Sequence, residues 1–163
     1  MPIYFTYTNS PIGRLELQAT DEGLTAVKFM FPEDVVQPEV EPNHPTLLAT
    51  VQQLKEYFAG DRKVFDVPLA PQGSDFQKRV WHELVNIPWG TTTSYLHMAE
   101  KLGSRLTIRA VGGANGKNPI GVIIPCHRVI GANGNLTGYA GGLWRKQWLL
   151  ELEGMANQLK MEF

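Results

Sequence analysis

The sequence predicts a two-part α/β protein: a small N-terminal domain of antiparallel sheet plus helix, then a mostly helical domain with a helix-turn-helix. Three observations carry this. Apolar residues alternate with period two through the first 30 positions, as half-buried strands require. From Ser74 onward the apolar period becomes helical and the starts are marked by capping residues. Between the two lies Pro68 to Gly73, with Pro71 in the middle, a break suited to a domain boundary. The expected division is residues 1–70 and residues 71–163.

In chain order, Ile3, Phe5 and Tyr7 form one face of a first strand. Asn9-Ser10-Pro11-Ile12-Gly13 turns the chain, and Leu15, Leu17 and Ala19 alternate in a second strand. Asp21-Glu22-Gly23 leads into a third strand near Leu24–Phe29. Four prolines among several acids make residues 31–45 a loop. A helix to about Ala59 then carries Leu47, Val51, Leu54 and Phe58 on one stripe, with Gly60 as its stop. A short strand is expected near Val64–Val67. Nothing in this half carries catalytic chemistry, and it reads as a scaffold.

In the second half, Ser74-Asp75-Phe76-Gln77 is a capping box, opening a helix that buries Phe76, Val80 and Leu84 and ends before Pro88. Ser94 caps the next helix and Gly103 ends it. Ser104 caps a third, running to about Ala114, and the pair joined through Ala99-x-x-x-Gly103 fits a helix-turn-helix. In the third helix Ile108 and Val111 can face the core, while Arg105 and Arg109 share a more exposed face. Ala110, Gly112, Gly113 and Ala114 leave that helix small-sided. Either something approaches its backbone closely, or it packs against another helix. Asn118-Pro119 turns into the apolar run 120–124; Gly131–Gly134 is a turn, and residues 138–142 form a glycine-rich loop. The last helix, with Trp144, Trp148 and Leu152 at four-residue spacing, stops at Gly154 with its tryptophans in the core.

Composition narrows the function classes. With 43% hydrophobic and 19% charged residues the chain reads as a soluble globular protein, expected in the cytoplasm. No apolar run approaches the roughly 20 residues of a membrane span, and the first residues lack the pattern of a secretory signal. One cysteine cannot form an internal disulfide, and scattered histidines give no zinc-ligand spacing, so no structural metal is expected. The net charge of −1 hides an asymmetry: residues 1–70 hold 5 Lys/Arg against 10 Asp/Glu, and residues 71–163 hold 10 against 6. Lys101, Arg105, Arg109, Lys117, Arg128, Arg145 and Lys146 form a stretch without any acid, which suggests a surface facing a polyanion.

The single cysteine, Cys126, stands directly before His127 in Pro125-Cys126-His127-Arg128-Val129-Ile130. A thiolate is a strong nucleophile and a neighbouring imidazole can generate one. In extended chain the two side chains would point apart, so a bend or a bridging water is needed to join them. The other reading is a small buried hydrophobe.

That hexapeptide, together with Arg109-Ala110-Val111-Gly112-Gly113-Ala114-Asn115, Lys117-Asn118-Pro119, Ser94-Tyr95, Gly138-Tyr139 and Leu149-Leu150-Glu151-Leu152-Glu153-Gly154, resembles the O6-alkylguanine-DNA alkyltransferases in order and spacing over roughly residues 74–154. The resemblance implies stoichiometric, irreversible transfer of an alkyl group from O6-alkylguanine, with O4-alkylthymine as a further candidate lesion, in duplex DNA to Cys126 after the nucleotide is flipped out. It implies that His127 acts as base through a water and that Glu153 orients it. It further implies that Tyr95 donates to the purine and that Asn118 braces the turn bearing Cys126. Arg109 would fill the space left by the flipped nucleotide. Ala110, Gly113, Arg105, Thr107 and Ser94 would complete the DNA-facing surface at the minor groove. Pro125, Tyr139, Ala140 and Gly141 would line the base pocket, with Ala140 standing where some members carry a serine. No cofactor is implied, and a monomer is expected. Two other readings share parts of this pattern: a sensor that binds alkylated bases without repairing them, and a cysteine hydrolase.

Overall fold

The computed structural model describes residues 1–131, 134–155 and 160–161. The chain forms two compact units. One comprises residues 1–72 with 119–123; the other comprises residues 73–118 with 124–163.

In the first unit β1 (Tyr4–Thr8), β2 (Leu15–Thr20) and β3 (Gly23–Phe29) form an antiparallel meander in that order. The predicted strands are present, but β1 buries the opposite face from the one expected. Thr6 and Thr8 lie opposite Leu17 and Leu15 and are buried with them, whereas Ile3 is exposed and Phe5 and Tyr7 are half-buried. The reason lies in the long loop. Glu41 N–H donates to Phe5 O (2.7 Å), Gln37 N–H donates to the Tyr7 hydroxyl (2.6 Å), and that hydroxyl donates to Glu16 (3.0 Å). The aromatic face of β1 is thus tied to polar partners, leaving the β-branched threonines to pack inward.

Helix α1 (Pro45–Phe58) presents Leu47, Thr50, Gln53, Leu54 and Tyr57 to this unit's core, so the buried stripe is rotated from the expected one and Val51 and Phe58 sit at its margins. Gly60, at φ +83°, ends the helix as expected. The strand expected near Val64–Val67 is not formed: Val64 is exposed, and Leu24 N–H donates to Pro68 O (2.8 Å) while Ala70 N–H donates to Leu24 O (2.7 Å). The chain therefore touches β3 at a single bridge, and Gly23 permits it, since a Cβ there would lie 2.7 Å from Pro68 O. Residues 119–123 lie along β3 through Val27 N–H to Pro119 O and Gly121 N–H to Val27 O, both 3.0 Å. The run is buried, as its apolar composition requires. Val122 takes φ +69°, an unusual conformation for a β-branched residue.

The second unit is mostly helical. The capping box is made: Ser74 Oγ accepts from Gln77 N (3.1 Å) and Gln77 Oε1 accepts from Ser74 N (2.9 Å), opening α2 (Asp75–Val85). Val80 and Leu84 are buried as expected and Phe76 is half-buried; Trp81 joins the core, donating from Nε1 to Ala114 O at 2.8 Å. After β4 (Thr93–Ser94), Ser94 Oγ accepts from His97 N (3.0 Å) to start α3 (Tyr95–Lys101). Gly103 (φ +107°) turns the chain, and Ser104 caps a 3₁₀ turn, Arg105–Thr107, that runs into α4 (Ile108–Gly116). The helix-turn-helix is formed by α3 and this combined element. Val111, Ala114 and Asn115 face inward, but Ile108, the first residue of α4, is exposed.

Residues Cys126–Arg128 form another 3₁₀ turn, followed by β5 (Val129–Ile130), which pairs in parallel with β4. β6 (Asn135–Leu136) pairs with β7 (Lys160–Met161). Ala132 and Asn133, within the expected Gly131–Gly134 turn, lie outside the described residues. The last helix, α5 (Leu143–Leu152), turns Lys146, Leu149 and Leu150 inward. Trp144 is 52% exposed, under the Arg145 guanidinium at 4.5 Å, and Trp148 is half-buried. The expected tryptophan core is therefore corrected. The buried face is centred instead on a lysine that apolar periodicity could not register.

Candidate active site

The site is assembled within the second unit around the 3₁₀ turn at Cys126. Pro125, at φ −82° and ψ 62°, makes an inverse γ-turn closed by Cys126 N–H to Ile124 O at 2.8 Å. Asn118 Nδ2 donates to the same carbonyl, also at 2.8 Å, so an amide side chain six residues upstream fixes the approach to the cysteine. Asn115 Nδ2 lies 3.5 Å from Cys126 O. Cys126 and His127 therefore lie on a bend in place of extended chain.

Cys126 is 7% exposed, and His127 and Glu153 are buried. His127 Nε2 lies 2.9 Å from Glu153 Oε2, while its Nδ1 has no hydrogen-bond partner among the described residues. With the ε nitrogen donating to the carboxylate, the δ nitrogen keeps a lone pair to receive a proton. Glu153 is the C-cap residue of α5, so the end of that helix delivers the carboxylate. The same carboxylate takes a two-point contact from Arg128: Nε to Oε1 at 2.7 Å and NH2 to Oε2 at 3.0 Å. Arg128 NH1 also donates to Ile87 O (2.7 Å), just beyond α2.

Burial pushes the Cys126 thiol above its ordinary range, against the opposing pull of the Asn118 hydrogen bond and the Lys146 charge. Burial likewise lowers His127, against Glu153. The resting pair is thus neutral thiol and neutral imidazole. The proton therefore moves only as sulfur attacks. Glu153 is held down to about 2 by His127 and Arg128 in spite of its burial. A carboxyl whose folded pKa lies below its unfolded value stabilises the fold above the unfolded value and loses that contribution as pH falls. From this group, stability should drop by about 3 kcal/mol between about pH 4.5 and about 2. Denaturant titrations across that range, compared with Glu153→Gln, check it: the gap between the two proteins should close toward the acid end.

Tyr95, the first residue of α3, is half-buried, and burial raises its hydroxyl pKa against hydrogen bonds with Thr137 and Asn115, so it remains a donor. Tyr139 is half-buried with its hydroxyl in the interior, and burial and the nearby Cys126 raise its pKa well above the usual value. Gly141 is buried and its carbonyl accepts from Arg145 (2.7 Å), whereas Ala140 is exposed. On the helix-turn-helix, Arg105, Arg109, Ala110 and Gly113 are exposed, with Leu106 between them 94% exposed. A Cβ added at Gly112 or Gly113 would meet nothing within 4 Å, so these two glycines do not serve helix packing, whereas Ala114 is buried and accepts from Trp81. Ser94 and Thr107 are half-buried and engaged locally: Thr107 Oγ1 donates to Ser104 O at 2.7 Å, and Ser94 caps α3.

Two members of the acid-free basic stretch are not surface residues. Arg128 and Lys146 are buried, and the Lys146 ammonium donates to Val129 O (2.7 Å), Thr137 O (2.8 Å) and Gly138 O (3.3 Å). Burial draws it down to about 8, and it remains mainly protonated at neutral pH. The exposed remainder is Lys101, Arg105, Arg109 and Lys117, with Arg145 half-buried. Beyond that surface expectation for Arg128 and Lys146, sequence reasoning placed none of Arg128, Asn115 and Lys146 at the site. Arg128 and Asn115 stand inside the quoted motifs, which was the only signal available.

A helix-turn-helix unit with a cysteine followed by a buried imidazole–carboxylate pair defines a class: DNA-binding folds whose chemistry rests on one sulfur. Residues 3–71 match the family model described as 6-O-methylguanine DNA methyltransferase, ribonuclease-like domain, and residues 75–155 match the one described as its DNA binding domain. A methylated-DNA–protein-cysteine methyltransferase of Methanosarcina acetivorans is 49% identical over 155 residues, covering 93% of this chain and 99% of the relative. The crystal structure of the Mycobacterium tuberculosis O6-methylguanine methyltransferase superposes with a TM-score of 0.82 at 44% identity, covering 98% of this chain and 96% of that one. A structure of the Mycobacterium tuberculosis protein in complex with DNA gives 0.82 at 45%, covering 96% and 94%. The chain belongs to the 6-O-methylguanine DNA methyltransferase family.

Proposed function

We infer that this protein repairs DNA by direct reversal, transferring the alkyl group of O6-alkylguanine in duplex DNA to Cys126, once per molecule. The observation that carries this is the buried His127–Glu153 pair, 2.9 Å apart, immediately following the one cysteine of the sequence. A sulfur activated in this way matches the names of the relatives, methylated-DNA–protein-cysteine methyltransferases.

The chemistry follows from the groups present. A bridging water passes the thiol proton to His127 Nδ1, and Glu153 stabilises the imidazolium that results. Sulfur forms a bond to the alkyl carbon as the carbon–O6 bond breaks, and that electron pair stays on guanine. Tyr95 donates a hydrogen bond to the purine ring, and overall the proton leaving sulfur is the proton guanine gains. The thioether has no easy return, so the reaction is stoichiometric. A base inside a stacked duplex cannot be reached by sulfur, so the nucleotide is extruded, at a cost of a few kcal/mol that is smaller where the lesion has weakened pairing. Arg109 fills the gap. The bare surface of Ala110 and Gly113, with Arg105, Thr107 and Ser94, lies in the minor groove, and Pro125, Tyr139, Ala140 and Gly141 surround the flipped base. Residues 1–70 serve as scaffold, and residues 71–163 bind DNA and accept the alkyl group. A lone cysteine that must stay reduced suits the cytoplasm.

Incubation with a duplex containing O6-methylguanine, followed by peptide mass spectrometry, should find one methyl on the Cys126 peptide and unmodified guanine in the DNA. Tight binding with the lesion left intact would instead indicate a damage sensor, and repeated turnover of an ester or amide would indicate a hydrolase.

A further inference from the structure

We propose that Arg128 is a positioning residue for this reaction: its two-point contact with Glu153 keeps the neighbouring imidazole neutral and therefore free to accept the Cys126 proton. The inference rests on the alkyl-transfer reading for its purpose, though its geometry stands alone. Both oxygens of Glu153 are engaged, Oε1 by Arg128 Nε (2.7 Å) and Oε2 by Arg128 NH2 (3.0 Å) together with His127 Nε2 (2.9 Å). The guanidinium is anchored a third time, on Ile87 O (2.7 Å). All three side chains are buried.

Charge counting in that buried cluster sets the protonation state. A carboxylate and an imidazole buried alone favour the ion pair, because the proton on the ring is the only local compensation for the anion. A base already carrying that proton cannot take another. With Arg128 in place, the anion is compensated before the imidazole is counted, and a ring proton would leave an unmatched positive charge. The other groups facing His127 act in known directions. Lys146, from α5, also opposes a charged ring; Glu153 favours it; Cys126 is a neutral thiol at rest; and Tyr139, near Cys126 and Glu153, stays neutral. Of the two cations, Arg128 alone makes hydrogen bonds to the carboxylate, while Lys146 spends its donors on backbone carbonyls. Arginine suits the task because it holds its charge when buried and its planar fork matches a carboxylate.

The test uses the full chain with Arg128→Met, Arg128→Gln and Arg128→Lys. Two readouts are taken: the His127 ring-nitrogen NMR shifts against pH in the free protein, and the pH profile of the single-turnover rate on a methylated duplex. The neutral variants should carry a protonated His127 at pH 7, its midpoint raised by about one to three pH units. Their rate at pH 7 should fall roughly tenfold or more and recover as pH is raised. Arg128→Lys, which keeps the charge, should restore a neutral ring. A ring still neutral in the neutral variants, or a rate reduced equally at every pH, would overturn the proposal. Glutamine, which can still hydrogen-bond, serves if methionine does not fold. If neither folds, Arg128→Lys decides, since a raised midpoint there rejects a charge role and an unchanged one supports it. Failure of the unaltered protein to transfer any methyl group would reject the repair reading instead, and the NMR titration would still settle Arg128.

Discussion

Glu153→Gln should slow alkyl transfer by roughly a hundredfold to ten-thousandfold, the range by which a positioned proton acceptor and its orienting group accelerate such steps. The substitution is nearly isosteric, so the loss is electrostatic. The imidazolium that forms as sulfur attacks would have no anion at 2.9 Å, and its formation becomes uphill where both groups are buried. Stability should suffer as well. Arg128 would remain buried with a neutral amide in place of its carboxylate, and breaking one partner of a buried pair typically costs about 3–5 kcal/mol. Single-turnover kinetics with a methylated duplex, on protein whose urea midpoint has been measured in parallel, separate the two losses. A folded variant reacting at the unaltered rate would remove Glu153 from the relay.

On the proposed reading, Arg109→Ala should act differently on a duplex substrate and on a free base. On duplex DNA, losing the side chain proposed to fill the vacated stack should lower the rate roughly a hundredfold, corresponding to a few kcal/mol of unstacking left uncompensated. On free O6-benzylguanine, which needs no extrusion, the rate should change little. Arg109 is exposed on the helix-turn-helix and supports nothing in the fold, so the variant should be as stable as its parent. Equal losses on both substrates would mean that Arg109 acts on the chemistry and not on the helix of DNA.

What could be read from sequence was what is local. The Ser74–Gln77 box, the Ser94 cap and the Gly60 and Gly103 stops each depend on residues within four positions, and each is present in the structure. The three-strand meander followed from period-two alternation, but the inward face of β1 did not. That face is decided by Gln37 and Glu41, some thirty residues away, which draw the aromatic side outward. The last helix misled for a related reason. Apolar periodicity points to Trp144 and Trp148, whereas the buried position belongs to Lys146, a side chain whose burial is legible only once three carbonyls are seen around it. Arg128 was hidden by distance: its partner carboxylate lies 25 residues downstream. The cysteine–histidine pair could be seen in sequence, but the turn that joins it and the thiol's resting protonation could not.

The open space around Gly112 and Gly113 has a further consequence. Alanine would fit at either position without touching a neighbour and would firm α4 by about 1 kcal/mol each, so the protein forgoes rigidity that its own architecture does not oblige it to give up. The fold has no use for those two missing methyl groups. The proposed DNA-facing role of this helix accounts for their absence, since a bare ridge of backbone can follow a contour that a bristling one cannot, and on that reading conformational looseness and recognition are two aspects of one short stretch of chain.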